Sequence, residues 1–422
     1  MKLQFTEGRT PRHGGQSSAL EQLSRLDAKY ILLSAPVGSG KSEVGVAAAR
    51  GADSAFIVSP QNILLEQYAR DFPWMPMVKG RKHYTCTWAK MNCADASEMY
   101  GNQHSQHCHD YIPARDAFWA ARISVTNLHY AMFAHCPEGY DRWRSLLVVD
   151  ECHGLEPMLL SLFHLRVYRK DAVAMGIRFD TSDAQELFDA YVDQDKALSD
   201  EQMRALVPDI SQRERIRGTA RRLAQVDLRD SINPWNIRRD RDCLECRPLF
   251  ARNLAPRLLG MAGRVLFMSG TPGSPDNFFR NLGIEPGKNT AVVTVDSGFP
   301  VGEGVRLIKN APYVNANSLD TAMPILADAS SQILRQLPTE KGLILCASYP
   351  LANKLADALR SEFGSRILTH TSQTRDAAIC QHRQLRSPTV LIAVNMHEGL
   401  HLARKIHEDN DAEVLFCYKH VV

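Results

Sequence analysis

The octapeptide Ala35-Pro36-Val37-Gly38-Ser39-Gly40-Lys41-Ser42 combines glycines, a lysine and a hydroxyl at the spacing of a phosphate-binding loop. Such a loop works through its backbone. The glycines let amide groups turn inward on phosphate oxygens, and a following helix points its positive end at them. Lys41 would reach the outer phosphates and Ser42 would ligate magnesium. Residues Pro36, Val37, Gly38, Ser39, Gly40, Lys41 and Ser42 are thus candidate contacts to a nucleoside triphosphate, ATP being the expected one. A second chemical group is Asp150-Glu151-Cys152-His153. Here Asp150 would hold Mg2+, directly or through water, Glu151 would orient and deprotonate an attacking water, and His153 would link the site to the rest of the core.

Both groups need rigid supports, and the flanking sequence supplies them. The apolar run Tyr30-Ile31-Leu32-Leu33 precedes the loop and the helix-like stretch from Ser42 to Arg50 follows it, while Leu146-Leu147-Val148-Val149 leads into the paired carboxylates. Apolar strands that end in polar residues are the pattern of an α/β nucleotide-binding domain, where ligands gather at the carboxyl ends of parallel strands.

Asp150-Glu151-Cys152-His153 resembles the second motif of superfamily-two helicases of the Asp-Glu-Ala-His type. Met268-Ser269-Gly270-Thr271-Pro272, after Arg264-Val265-Leu266-Phe267, resembles the third motif, with Ser269 and Thr271 as coupling residues. Phe56 to Pro60, with Leu64-Leu65-Glu66-Gln67, is similar to the motif that touches the nucleic-acid backbone through residues such as Ser59. Lys341 to Tyr349, including Ser348, resembles the opening of a second motor domain. Val390 to Val394 and His397-Glu398-Gly399-Leu400 resemble its fifth motif, which makes Glu398 and Gly399 coupling candidates. Pro11 to Gln16 is similar to the adenine-side motif and nominates Gln16.

The long stretch between His153 and Met268, where a minimal motor domain has a few tens of residues, marks an insertion. Its segments Ala184 to Val192 and Ile216 to Val226 carry apolar residues at helical intervals. Another insertion, opening Lys79-Gly80-Arg81-Lys82-His83-Tyr84-Thr85-Cys86, also contains Cys93 and Cys108. This arrangement resembles the XPD and DinG helicase family, in the compact form carried by bacteriophages. The resemblance implies two RecA-like α/β domains, the first split over residues 1–78, 116–156 and 247–275. A cysteine-rich insertion would occupy 79–115, a helical Arch 157–246, and an incomplete second motor domain 297–422. It further implies an ATP-driven DNA helicase that moves 5′ to 3′ on single-stranded or forked DNA in replication or repair.

Three cysteines, Cys86, Cys93 and Cys108, fall one short of the four thiolates of a [4Fe–4S] cluster. His104, His107, His109 or Cys136 could complete the set, and three cysteines with a histidine equally suit zinc. An insertion without metal is the third reading. Cys243-Leu244-Glu245-Cys246 lacks a second pair and reads as strand.

The net charge of +3 gives no general argument for nucleic acid, so local groups matter more. Arg81 and Tyr84 join charge to a stacking ring and are candidates for contacting single-stranded DNA, with Ser59, Thr126, Asn127 and Ser348 as backbone contacts. Arg213, Arg217 and Arg221 share a helix face that could track phosphates or pair with nearby acids. No apolar run approaches the ~18 residues of a membrane span. Ten cysteines and no secretory leader point to a reducing compartment, the cytoplasm; the family resemblance implies a bacterial or phage-infected cell, and a monomer is expected.

Helicases of this family carry a sixth motif, Gln-x-x-Gly-Arg-x-x-Arg, which this sequence does not contain. Three expectations follow: a fragment of an active helicase, a chain whose missing part another polypeptide supplies, or a nucleotide-dependent DNA-binding or regulatory protein with weak ATPase.

Overall fold

The computed structural model describes residues 14–36, 39–60, 62–229, 234–287, 289–295, 314 and 317–394. The chain divides into two compact units, at residues 301 and 302. The fold class is α/β. In the first unit a seven-stranded sheet runs, edge to edge, through Thr290–Thr294, Tyr30–Ser34, Ala262–Ser269, Arg144–Val149, Ala55–Ser59, Ile123–Asn127 and Met77–Val78. All neighbouring pairs are parallel.

Successive side chains of these strands enter opposite apolar layers, as the two-residue period of a strand requires. Leu32, Phe56, Val58, Leu147, Val149, Val265 and Phe267 belong to one layer. Leu33, Ala55, Ile57, Leu146, Val148, Leu266 and Met268 belong to the other. A strand buried on both faces needs continuous apolar sequence, which is why Leu146 to Val149 shows no polar alternation. The helix Lys41–Gly51 packs tightly on the sheet at Gly45, where an added Cβ would lie 2.6 Å from Met268 Cε.

The long stretch after His153 has a separate core. Helices Ala184–Ala197 and Ile210–Leu223 cover a three-stranded antiparallel sheet of Leu165–Tyr168, Cys243–Pro248 and Trp235–Arg239. The segment is therefore less helical than its apolar spacing predicts. Leu165 and Val167 are buried on either side of exposed Arg166, a strand pattern too short to stand out in the sequence, and buried Leu244 and Cys246, in the run that does read as strand, face them. Cys243 and Cys246 are residues of this strand pairing.

The region from 85 to 110 has little regular structure: a hairpin of Thr85–Cys86 and Met91–Asn92, then helices Cys93–Tyr100 and Asn102–Gln106. In the second unit, Gly342–Cys346, Val390–Val394 and Ile367–Thr369 form a parallel sheet with helix Tyr349–Phe363 packed on it. Among the described residues, no helix is long and apolar enough to cross a membrane.

Candidate functional site

The carboxyl ends of adjacent strands bring the sequence motifs together. Ala35 N–H donates to Ser269 O at 3.0 Å and Asp150 N–H to Val58 O at 2.9 Å, so the phosphate loop, the third motif and the carboxylate pair leave the sheet side by side. Gly40 has φ 77°, a left-handed turn that favours glycine and starts the helix at Lys41. The Ser39 hydroxyl donates to Pro36 O at 2.6 Å and closes the loop on itself. Val37 and Gly38 lie outside the described residues, as do Glu398 and Gly399.

Lys41 is 8% exposed; its Nζ donates to Pro36 O at 3.5 Å and lies 3.9 Å from Glu151 Oε1. The ammonium thus stands between the loop and the carboxylates, where it can turn to an anionic phosphate. Asp150 is 2% exposed, accepting from the Tyr68 hydroxyl at 2.8 Å and from Glu151 N–H at 2.9 Å. Burial, then the neighbouring charge of Glu151, pushes its carboxyl up to about 6. A cation bound there would favour the ionised form. Ser42 also lies against the Tyr68 hydroxyl, on the Asp150 side of the loop.

Glu151 adopts φ 46°, a left-handed conformation uncommon for a residue with a side chain. Its Oε2 lies 3.4 Å from His153 Nδ1, which is 3.0 Å from Ser269 Oγ. Ser269 Oγ accepts from Thr271 N–H at 3.1 Å. A continuous polar chain therefore runs from the lysine through Glu151 and His153 to the third motif. Two members were missed or placed differently by the sequence. Tyr68 sits inside an ordinary helical pattern, with no signal that its hydroxyl meets Asp150. Gln16, expected on the adenine side, directs Nε2 to Gly40 O at 3.5 Å and so braces the loop.

The expected DNA contacts are mostly committed elsewhere. The Thr126 hydroxyl is buried and donates to Val78 O at 2.8 Å. Asn127 caps the following helix by accepting from Tyr130 N–H and donates to Asn62 Oδ1, both at 2.8 Å. Ser59 is buried, with no hydrogen-bond partner for its hydroxyl among the described residues. Arg81 donates to Ser97 Oγ and lies 4.9 Å from the Tyr111 ring centroid, while Tyr84 packs edge-on against Tyr111. Ser348 caps the helix Tyr349–Phe363 in the second unit. Of the arginine row, Arg213 and Arg217 pair with Glu98 and Arg217 also with Asp200.

Cys86, Cys93 and Cys108 line one small cavity. His107 and His109 also line it, while His104, 1% exposed, stands beside Cys93 and Cys108 with its Nε2 3.7 Å from Cys93 Sγ. Burial foremost, with the nearby thiols adding to it, pushes Cys93 up to about 12.

The parallel sheet, with the phosphate-loop sequence and the acidic strand tip at its carboxyl edge, defines a RecA-like α/β fold. No family model and no curated protein matches the sequence. Among solved structures, an XPD helicase is 14% identical, with 94% of this chain and 83% of that chain covered and a TM-score of 0.54. An apo XPD is 13% identical over 92% and 80%, TM-score 0.49, and Xpd4 of S. tokodaii is 13% identical over 90% and 79%, TM-score 0.45. The chain has an XPD-helicase-like fold.

Proposed function

We propose that the protein is an ATP-hydrolysing motor that moves on single-stranded DNA and unwinds duplex, with 5′ to 3′ movement carried over from the family resemblance. The observation that carries this reading is the convergence of Lys41, Asp150 and Glu151, with His153 joined to Ser269 at 3.0 Å. In this reading the loop amides and Lys41 hold the triphosphate, and Gln16 keeps the loop in shape from behind. Ser42 and Asp150 hold Mg2+, whose role when bound is to neutralise phosphate charge. Glu151 takes the proton of the attacking water, and its left-handed backbone aims the carboxylate into the site. Loss of the γ-phosphate changes the charge felt by Glu151, and His153 passes that change to Ser269 and Thr271, at the end of a central strand. The sheet then carries it to the neighbouring strand tips at Ser59 and Asn127, beside which nucleic acid would lie.

The test is ATP hydrolysis by the full chain with and without single-stranded DNA, with Glu151→Gln beside it. DNA-stimulated turnover that Glu151→Gln abolishes is the expected result. ATP binding without turnover in either protein would overturn the motor reading.

A further inference from the structure

The four-thiolate cluster implied by family resemblance does not fit the residues that this structure brings together. We propose instead that Cys86, Cys93, His104 and Cys108 form a tetrahedral site for a single Zn2+. The donor atoms of Cys93, His104 and Cys108 all lie within 4.8 Å of one another; Cys86 lines the same cavity outside that trio and would close onto the ion as the fourth ligand. Bonds of about 2.3 Å to sulfur and about 2.0 Å to nitrogen, at tetrahedral angles, set sulfur and nitrogen about 3.5 Å apart. The Cys93 Sγ to His104 Nε2 distance of 3.7 Å meets that requirement. A cubane cluster attaches each thiolate to a different iron and holds the ligands farther apart than one ion does.

The choice of histidine is equally specific. His107 is exposed and stacks on Trp88 at 5.0 Å, and His109 is exposed. His104 is buried, its Nδ1 has no hydrogen-bond partner among the described residues, and its Nε2 faces sulfur. A buried imidazole nitrogen without a conventional partner carries an uncompensated desolvation cost, which a metal bond would offset. Cys136 is occupied elsewhere, 3.4 Å from Tyr140 O.

Backbone donors reach two of the three sulfurs. Ala89 N–H donates to Cys86 Sγ and Ile112 N–H to Cys108 Sγ, each at 3.4 Å. Three thiolates and a divalent ion leave one negative charge, and Arg81 lies close enough to act on both Cys93 and His104. Arg81 therefore has an electrostatic role in the insertion itself. Tetrahedral sulfur and nitrogen donors without an open position are the ligand set of structural zinc.

The full chain, purified anaerobically and given stoichiometric Zn2+, should hold one zinc per chain, without acid-labile sulfide. X-ray absorption at the zinc edge should show three sulfurs and one nitrogen, and Co2+ in place of zinc should give the visible bands of a tetrahedral thiolate site. His104→Ala should lose the metal to a chelator at least tenfold faster, and His104→Cys should retain it with a four-sulfur spectrum. Iron with labile sulfide, a four-sulfur spectrum in the natural chain, no bound metal, or unchanged retention in His104→Ala would each overturn the proposal. The absorption measurement needs no variant, so it decides even if His104→Ala fails to fold.

Discussion

The phosphate-loop site and the cysteine–histidine pocket are built in opposite ways. The first gathers Lys41, Tyr68, Asp150, Glu151 and Ser269 from distant parts of the chain, and a seven-stranded parallel sheet holds them. The second comes from one stretch, Cys86 to Cys108, whose hairpin strands have two residues each and whose helix around His104 has five. The sheet brings its own apolar layers and keeps its site in shape whatever is bound. A segment with so little core instead depends on a cross-link, and a bound ion can supply one. Under the two proposals, the difference separates a site that would use its ligand for chemistry from one that would use it for structure.

The largest effect that sharpens this contrast is Glu151→Gln. It should lower ATP turnover about 10²- to 10⁴-fold, the usual contribution of a general base, and leave zinc content unchanged. Single-turnover hydrolysis and metal analysis on the same sample check both halves. Coupled loss of metal and turnover would mean that the two sites are one structural unit.

Chelation is the reverse experiment. Metal removal should raise proteolytic cleavage between residues 86 and 110 about tenfold, through local opening, while nucleotide affinity changes less than about threefold. Cleavage confined to that stretch, located by mass spectrometry, is the expected pattern. Equal loosening of the seven-stranded sheet would break the contrast.

The same difference explains what could be read from sequence. Lys41, Asp150, Glu151 and Ser269 were legible because strand-tip motifs carry fixed chemistry at fixed spacing, and the apolar runs beside them announce a parallel sheet. Tyr68 was not, because a tyrosine in an amphipathic helix looks like core until the strand tip facing it is known. Nor could spacing separate His104 from His107 and His109, since the choice depends on which imidazole the short helix Asn102–Gln106 turns inward. Thr126 and Asn127 were found at the right strand end, but spacing could not show that their side chains serve Val78 and the next helix. The strands at 165–168 and 235–239 are not legible, because each is short and pairs with a strand distant or newly turned in sequence, whereas the run at 243–246 already reads as strand.

His382, in the second unit, is a control for His104: a buried imidazole with an ordinary partner, Thr389 Oγ1 at 2.8 Å. Burial, then Lys341 and Arg383, pushes its pKa down to about 4. The folded state therefore binds fewer protons than the unfolded state between about pH 4 and an unfolded value near ~6.5. Its contribution is present above that window and lost as pH falls through it. Hydrogen exchange at residues 342–346 and 390–394 should accelerate from pH 6.5 to 4, after correction for intrinsic rates, and His382→Gln should flatten the trend. An unchanged trend in the variant would assign the acid sensitivity to other groups.

The smallest expected effect lies within the nucleotide site. Tyr68→Phe keeps the ring in the core but removes the hydroxyl that donates to Asp150 Oδ2. One such hydrogen bond is worth about 1 kcal/mol, or about fivefold in an equilibrium. The loss should fall on the ability of Asp150 to hold Mg2+, not on proton transfer by Glu151. Half-maximal turnover should then require about fivefold more Mg2+, with turnover at saturating Mg2+ unchanged within about twofold and zinc content unaltered. Tyr68 would on that result be a positioning residue that acts through Asp150. Reduced turnover at an unchanged Mg2+ requirement would place it instead with Glu151, in the machinery that moves the proton.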